Sequence, residues 1–240
     1  MTRLVVVSAG LSVPSSTRLL ADRLTAAAVE ALDEVDVEVI ELRDVAHQLT
    51  DHLLTGFAGP ELAEAIANVR DADGLIVVTP VFAASYSGLF KTFFDVLEEG
   101  VLDGTPVLVA ATAGTARHSL VLEHALRPLF VYLHAVVVPT GVFAATDDFG
   151  DTGLDQRIER AAGELAALMG KVDPTARRRR TVDDEFAEPT PFEELLRRAE
   201  GGLYVQSITG LGSGASPVTG DFSVGADGLI IRDGALAEPV

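Results

Sequence analysis

The segment Pro80-Val81-Phe82-Ala83-Ala84-Ser85-Tyr86-Ser87-Gly88-Leu89-Phe90-Lys91 joins an apolar run to a helical pattern. The preceding run, Leu75–Thr79, predicts a buried strand, and Leu89–Glu98 has the apolar spacing of a helix. The segment therefore lies at the carboxyl end of a probable parallel strand, the edge at which open α/β sheets bind ligands. Its aromatic and small polar residues suit a flat aromatic ligand. A plain strand-to-helix turn with Ser87 as the helix N-cap explains the segment equally well.

Composition limits the classes of partner. The chain has 240 residues and a formal net charge of −18, which argues against a nucleic-acid partner. The basic cluster at 177–180 is followed at once by acidic residues, so we expect a solvated linker there rather than a recognition patch. We expect no membrane helix and no cleaved leader. The chain has no cysteine, which excludes disulfides and thiolate metal ligands, and we expect a cytoplasmic protein with no metal site.

Strand-like runs alternate with helical patterns over residues 1–172. The predicted strands are Arg3–Ser8, Val37–Leu42, Leu75–Thr79, Pro106–Ala111 and Val136–Val138, the last resuming after Gly141. The predicted helices are Thr17–Leu32, Pro60–Arg70, Leu89–Glu98, His118–Leu133 and Thr152–Val172. This alternation predicts an α/β fold, a flavodoxin-like doubly wound sheet of five parallel strands in the order 2-1-3-4-5.

The loop after the first predicted strand is rich in hydroxyl groups. Its hydroxyl-bearing residues are Ser8, Ser12, Ser15, Ser16 and Thr17, followed by Arg18 at the start of a helix. Hydroxyls and the amides of a helix N-terminus can hold a phosphate. The loop lacks the full dinucleotide glycine pattern and the Walker lysine, which favours a monophosphate. A serine-capped helix start is the simpler alternative, although a cap needs only one of these hydroxyls.

The loop after the fourth predicted strand, residues 112–118, consists largely of small residues. Such residues let backbone amides reach the polar edge of a ligand. An ordinary turn is the alternative, and this loop alone does not decide between the two.

Together the three loops resemble those of the NAD(P)H-dependent FMN reductases of the flavodoxin-like superfamily. The likeness is greatest to the reductase partners of luciferase-like and sulfonate monooxygenases, and it covers roughly residues 1–195. The matching pieces are Gly10-Leu11-Ser12, Pro14–Thr17, Pro80–Phe82, Ser85–Lys91, Ala111–Thr115, His118 and Ala125–Pro128.

This resemblance implies three sets of residues that bind FMN. The phosphate would be held by Ser12, Ser15, Ser16 and Thr17. One side of the isoalloxazine would be lined by Pro80, Val81, Phe82, Ser85, Tyr86 and Ser87. Its pyrimidine edge would meet Thr112, Ala113, Gly114 and Thr115, with His118 close by. The nicotinamide of NADPH or NADH would stack on the flavin and pass hydride to N5, which requires no dedicated catalytic side chain.

The implied function is reduction of FMN to supply a partner monooxygenase. A flavin-retaining quinone or azo reductase and a non-catalytic flavodoxin-type carrier are the alternatives. His124 stands where some sulfonate-system reductases carry an aromatic residue on a widened helical turn, which is associated with tetramer packing. We also expect a homodimer or homotetramer, because two predicted helices are apolar on more than one face. The residues behind that expectation are Phe90, Phe93, Phe94, Phe130, Val131 and Tyr132.

The sequence divides into three predicted segments. They are a reductase domain over 1–172, a charged linker with a short helix over 173–200, and a β-hairpin tail over 201–240. The tail resembles the C-terminal part of the TldD/PmbA metalloprotease domain, without that family's metal-binding His-Glu-x-x-x-His helix, so it implies no protease activity. Asp227-Gly228 and Asp233-Gly234 predict tight turns between short strands, including one at 222–224.

Overall fold

The computed structural model describes residues 2–32, 34–170, 192–199, 201–209, 225–233 and 235–239. The chain forms two compact units, Met1–Arg180 and Thr181–Val240, which are described separately. The predicted linker at 173–191 and the predicted strand at 222–224 lie outside the described residues. The predicted segment boundaries at 172 and 200 stay predictions. None of the helices in the described ranges is both long and apolar enough to span a bilayer.

The first unit is built on a seven-stranded sheet. Its strands are β1 (Thr2–Ser8), β2 (Val35–Glu41), β3 (Gly74–Phe82), β4 (Ser85–Tyr86), β5 (Pro106–Ala113), β6 (Val136–Val137) and β7 (Val142–Ala145). The parallel path is β2-β1-β3-β5-β6, with β7 also parallel to β5, while β4 is a short antiparallel partner of β3. Since β6 and β7 are two pieces of the predicted fifth strand, the predicted order is confirmed.

Helices cover both faces of this sheet. They are α1 (Ser16–Ala31), α2 (Ala46–Thr55), α3 (Pro60–Arg70), α4 (Gly88–Asp95), α5 (Arg127–Tyr132) and α6 (Thr152–Met169). Leu20 of α1 and Leu165 of α6 are buried in one core, and Leu62 of α3 and Phe90 of α4 are buried in the core on the opposite face. Burial of both faces explains the nearly continuous apolar runs of β1, β3 and β5.

Two helical regions differ from the prediction. Helix α2 is absent from the predicted elements, because Leu49 is its single buried residue and leaves little apolar periodicity to detect. The predicted helix His118–Leu133 consists of a 3₁₀ turn at Ala116–His118, a π-helical turn at Leu122–Leu126, and α5. Pro128 is the second residue of α5 and follows the π-helical turn without a break in the helix.

Four phenylalanines form a buried aromatic cluster on the α4 side of the sheet. Phe90, Phe93, Phe94 and Phe130 are each at most 2% exposed, and the centroids of the Phe90 and Phe94 rings are 4.8 Å apart. The prediction that these four residues face a second subunit is therefore wrong. Helical periodicity shows which side chains are apolar, but not whether they meet the protein's own core. Of the six residues behind that prediction, Val131 and Tyr132 are exposed.

The second unit is small. It contains α7 (Phe192–Ala199) and a three-stranded antiparallel sheet in the order β10-β9-β8, formed by β8 (Gly201–Thr209), β9 (Gly225–Arg232) and β10 (Ala235–Pro239). The predicted turn at Asp227-Gly228 is wrong, because both residues lie within β9. A Cβ at Gly228 would be 2.3 Å from the Tyr204 carbonyl oxygen, so the glycine permits a close backbone approach at the bulge in β8. Asp233, with a φ of 53°, lies in the turn between β9 and β10.

Candidate functional site

The three loops of the predicted site leave the carboxyl ends of β1, β3 and β5, which are neighbours in the sheet. The Thr17 and Thr112 hydroxyl oxygens are 2.8 Å apart and buried, so this hydrogen bond ties the first loop to the third. Pro80 is the register partner of Thr112, which places the second loop beside the third. Residues that are far apart in sequence thus meet at one edge of the sheet, as expected for a doubly wound fold.

The first loop has the properties of an anion site. Ser15 is the N-cap of α1, and its Oγ accepts a hydrogen bond from the Arg18 amide at 3.2 Å. Ser12 and Ser16 are exposed. The amides of the first helical turn have no acceptor within the helix, and the positive end of the helix dipole lies there. A Cβ at Gly10 would be 2.2 Å from the Ser15 Oγ, so a side chain there would displace the capping hydroxyl.

A buried hydroxyl strengthens this assignment. The Ser8 Oγ is buried and has no hydrogen-bond partner among the described residues. Ser8 alternates with Leu4 and Val6, which pack in the same core as α1, so Ser8 lies on the α1 face of the sheet. An unsatisfied buried hydroxyl at the end of β1 calls for a partner, which a bound ligand or a water molecule would supply. This set of hydroxyl and amide donors fits a phosphate monoester.

The charged residues beside the first loop were missed by the sequence analysis, apart from Arg18. The Arg18 guanidinium donates from Nη1 to Glu41 Oε1 and from Nε to Asp22 Oδ1, both at 2.6 Å. These hydrogen bonds, chiefly the one to Glu41, raise the pKa of Arg18 above its ordinary value. Arg43 donates from Nη1 to the Ser12 carbonyl at 3.1 Å. The available signal was position, because Glu41 ends β2 and Arg43 follows it, at the same sheet edge.

The second loop is a tight hairpin. Ala83 and Ala84 connect β3 to β4 with φ values of 48° and 65°. Positive φ at both central residues is typical of a type I′ turn, which favours Asn-Gly over alanine. The turn presents Phe82, which is 49% exposed, while the half-buried Tyr86 ring lies 5.8 Å from that of Phe90. Tyr86 therefore contacts the buried aromatic cluster, and Phe82 exposes an aromatic face at the edge of the sheet.

Ser87 is the N-cap of α4. Its side chain is 1% exposed and caps α4 by accepting a hydrogen bond from the Phe90 amide at 3.2 Å. Its own amide donates to the Thr79 Oγ1 at 3.0 Å. The N-cap interpretation from the sequence thus describes Ser87. These two bonds fasten the hairpin to the end of β3.

The third loop is open. Gly114, Thr115 and His118 are exposed, whereas Ala113 is half-buried at the end of β5. The 3₁₀ turn Ala116–His118 follows directly. This loop offers backbone polar groups and little apolar surface, as suits the polar edge of a ring system.

A groove of about 490 Å³ lies beside the hairpin. It is lined by Ser85, Tyr86, Lys91, Phe94, Asp95, His124, Ala125, Pro128, Leu129, Tyr132 and Leu133. His124 lies within the π-helical turn, so the widened turn is present with a histidine. Next to it, hydrogen bonds from Arg127 lower the pKa of Glu123 below its usual value. Arg127 also donates to the Val138 and Pro139 carbonyls, which joins the π turn to the end of the sheet.

Comparison with known proteins gives a consistent result over the first unit. The profile of the NADPH-dependent FMN reductases matches residues 2–150. An FMN reductase (NADPH) of Pseudomonas aeruginosa is 42% identical over 173 residues, covering 70% of this chain and 92% of that protein. The NADH-dependent FMN reductase SfnF of Pseudomonas fluorescens is 40% identical, with the same two coverages of 70% and 92%.

A solved structure agrees with these sequence matches. An oxidoreductase of Corynebacterium diphtheriae superposes with a TM-score of 0.71 at 50% identity, covering 72% of this chain and 99% of that one. The profile of the PmbA/TldA metallopeptidase C-terminal domain matches residues 170–240, which include the predicted linker as well as the tail, and this confirms the second resemblance. The family match over most of the first unit, on the fold expected for it, leads to one conclusion. The chain belongs to the NADPH-dependent FMN reductase family and is an NAD(P)H:FMN oxidoreductase.

Proposed function

We propose that the three loops at the carboxyl edge of the sheet hold FMN and that the reduced flavin is passed to a partner monooxygenase. The observation that carries the first part is the donor set at the start of α1. The set consists of the exposed Ser12 and Ser16, the amides of the first helical turn other than that of Arg18, and the Ser8 hydroxyl, which has no partner among the described residues. This arrangement supports a phosphate site, and the adjacent hairpin supports a ring site.

In this proposal each loop has a separate task. Ser12, Ser15, Ser16 and Thr17 form the first loop around the phosphate, with the Thr17 hydroxyl held by Thr112. Pro80–Ser87 forms the wall beside the isoalloxazine, with Phe82 as its most exposed aromatic face. Residues 112–115 and His118 lie at the polar edge of the ring. Ser87, whose side chain is occupied as a helix cap, contributes by fixing the wall.

FMN, when bound, supplies the redox chemistry by accepting a hydride from NADPH or NADH. The protein itself binds FMN, orients its ring and shields the ring from water. The hairpin keeps water from one side of the ring, and the helix N-terminus stabilises the phosphate charge. In the described part of the chain we assign no acid–base side chain to the reaction, because hydride transfer requires none from the protein.

The supply of reduced flavin to a monooxygenase rests on the resemblance of the three loops to monooxygenase-partner reductases. A flavin-retaining quinone or azo reductase is the competing proposal. The two differ in whether FMN stays bound. Desalting the loaded protein separates them, because a flavin donor loses FMN on the column and a flavin-retaining reductase does not.

The first experiment is anaerobic absorbance at the flavin band with protein, excess FMN and NADPH. We expect catalytic amounts of protein to bleach the flavin absorbance rapidly. Repeating the measurement with NADH in place of NADPH shows which of the two nucleotides the enzyme prefers. Bound FMN that neither nucleotide bleaches would contradict the proposal and favour a flavodoxin-type carrier. Adding a flavin-dependent monooxygenase and its substrate then tests transfer, with product formation as the readout.

Oligomeric state and compartment stay predictions. We expect a homodimer or homotetramer, and light scattering of the purified full chain measures it. A monomer at all concentrations would contradict this prediction. The expected compartment is the cytoplasm, and the absence of cysteine is compatible with a reducing compartment.

A further inference from the structure

A carboxylate lies beside the proposed phosphate site. Glu41 is the last residue of β2 and the register partner of Ser8 at the end of β1. Val37 and Val39, which alternate with it, pack against the core beneath α1, so the Glu41 side chain lies on the α1 face. That side chain is 10% exposed. A poorly solvated negative charge here opposes an incoming phosphate, because little water is present to screen it.

Arg18 neutralises this carboxylate. It is the third residue of α1, and its amide is the one bonded to the capping Ser15 hydroxyl. A guanidinium at this place is a natural phosphate ligand, since it can donate two parallel hydrogen bonds to one oxyanion. Instead, Glu41 occupies its Nη1 and Asp22 its Nε, each at 2.6 Å. Arg18 is thus already bound to carboxylates, and the other nearby guanidinium, that of Arg43, donates to the Ser12 carbonyl.

We infer that Glu41 sets the affinity of the first loop for the FMN phosphate, by holding Arg18 away from it. The bond to Glu41 must be weakened before Arg18 can bind phosphate, and the carboxylate itself repels the dianion. Both effects weaken the binding of FMN and leave a flavin without phosphate unaffected. This inference rests on the proposed phosphate site and gives a physical reason for release of the product.

The test is Glu41→Gln, measured by equilibrium titration of the full chain with FMN and with riboflavin, followed by flavin fluorescence. Gln keeps the size of the side chain and an acceptor oxygen but removes the charge, so the bond from Arg18 at this position is no longer an ion pair. We expect the Kd for FMN to fall by about five- to tenfold, on the scale of one charge-assisted hydrogen bond. The Kd for riboflavin should stay within about twofold, and the rate of FMN dissociation should fall.

Glu38→Gln is the matched control. It removes the same charge from the same strand at an exposed position, so it tests whether the change of net charge alone is sufficient. We expect no change in either Kd. Asp22→Asn should have a smaller effect than Glu41→Gln, because the Asp22 side chain is 54% exposed and its ion pair is screened by water.

The outcomes separate the inference from the proposal on which it depends. If Glu41→Gln leaves FMN binding unchanged or weakens it, Glu41 is a support of the loop and the inference is wrong. If the wild-type protein binds FMN and riboflavin equally, the proposed phosphate site itself is wrong. Glu41→Ala, which removes the acceptor altogether, is a second variant with the same expected direction. It decides the question if the glutamine variant unfolds in a thermal melt.

Discussion

The two helices that begin at the candidate site start in the same way but in different surroundings. Ser15 caps α1 and Ser87 caps α4, each by accepting an amide hydrogen bond at 3.2 Å. The loop before α1 is exposed and held by polar bonds, such as that from Arg43 to the Ser12 carbonyl. The hairpin before α4 rests on the buried aromatic cluster. One cap therefore leaves donors available to an anion, whereas the other fixes an apolar wall.

The largest effect is expected at the base of the hairpin. Phe90→Ala should lower the free energy of unfolding by about 3–5 kcal/mol, because a fully buried ring is replaced by a cavity. Urea denaturation measures the loss. Phe57→Ala is the matched control, since Phe57 is 80% exposed and should change stability by less than about 0.5 kcal/mol. Equal losses in the two variants would contradict the assignment of the Phe90 ring to the core.

The second largest effect is expected when the buried N-cap of α4, Ser87, is removed. Ser87→Ala should cost about 1–3 kcal/mol, because the Phe90 amide is then buried without an acceptor. The same denaturation measurement applies. Affinities for FMN and riboflavin should change together, since the wall contacts the ring common to both. A loss confined to FMN would contradict the assignment of this loop to the ring.

The half-buried Ser15 cap should affect the binding of the two flavins unequally. Ser15→Ala should cost about 1 kcal/mol of stability, less than Ser87→Ala, because water can replace the lost hydroxyl. Its effect on ligands should be selective, with FMN binding weakened and riboflavin binding almost unchanged. Fluorescence titration of both flavins measures this. Equal weakening of FMN and riboflavin binding would contradict the assignment of the first loop to the phosphate and of the hairpin to the ring.

The smallest expected effect concerns the tip of the hairpin. Ala84→Gly should raise the free energy of unfolding by about 0.5–1 kcal/mol, because glycine adopts the positive φ of 65° without a steric penalty. Ala84→Val is the opposing control, since a β-branched residue there is strongly disfavoured. Thermal melts of the two variants should move in opposite directions. A loss of stability in the glycine variant would mean that the turn carries no strain.

Much of this site could be predicted because it depends on local order along the chain. Loops that follow neighbouring parallel strands must meet at one sheet edge, so the order of the elements along the sequence is enough to place the three loops together. The serine cap of α4 was also predictable, as one of two alternatives. Glu41 and Arg43 were not found, because they belong to the end of β2, whose sequence has no motif.

Other features depended on packing that a sequence pattern does not contain. The apolar spacing at Phe90 and Phe130 was recognised, but its assignment to a subunit interface was wrong because those rings fill the protein's own core. The predicted turn at Asp227-Gly228 was also wrong, since the glycine serves a close approach between β8 and β9. In both cases the residue type indicated a special position in the structure. The residues packed against it in space decided what that position does.

The sequence by itself determined the order of the strands, the family, and the three loops that form the candidate site. Periodicity and turn chemistry are local, so they can be read along one chain. Tertiary structure alone decided which hydroxyls are engaged and which stay available, as with the Thr17–Thr112 bond and the unpaired Ser8 Oγ. It also brought Glu41 to Arg18, because a contact between residues 23 positions apart follows from the packing of α1 across β2 and β1.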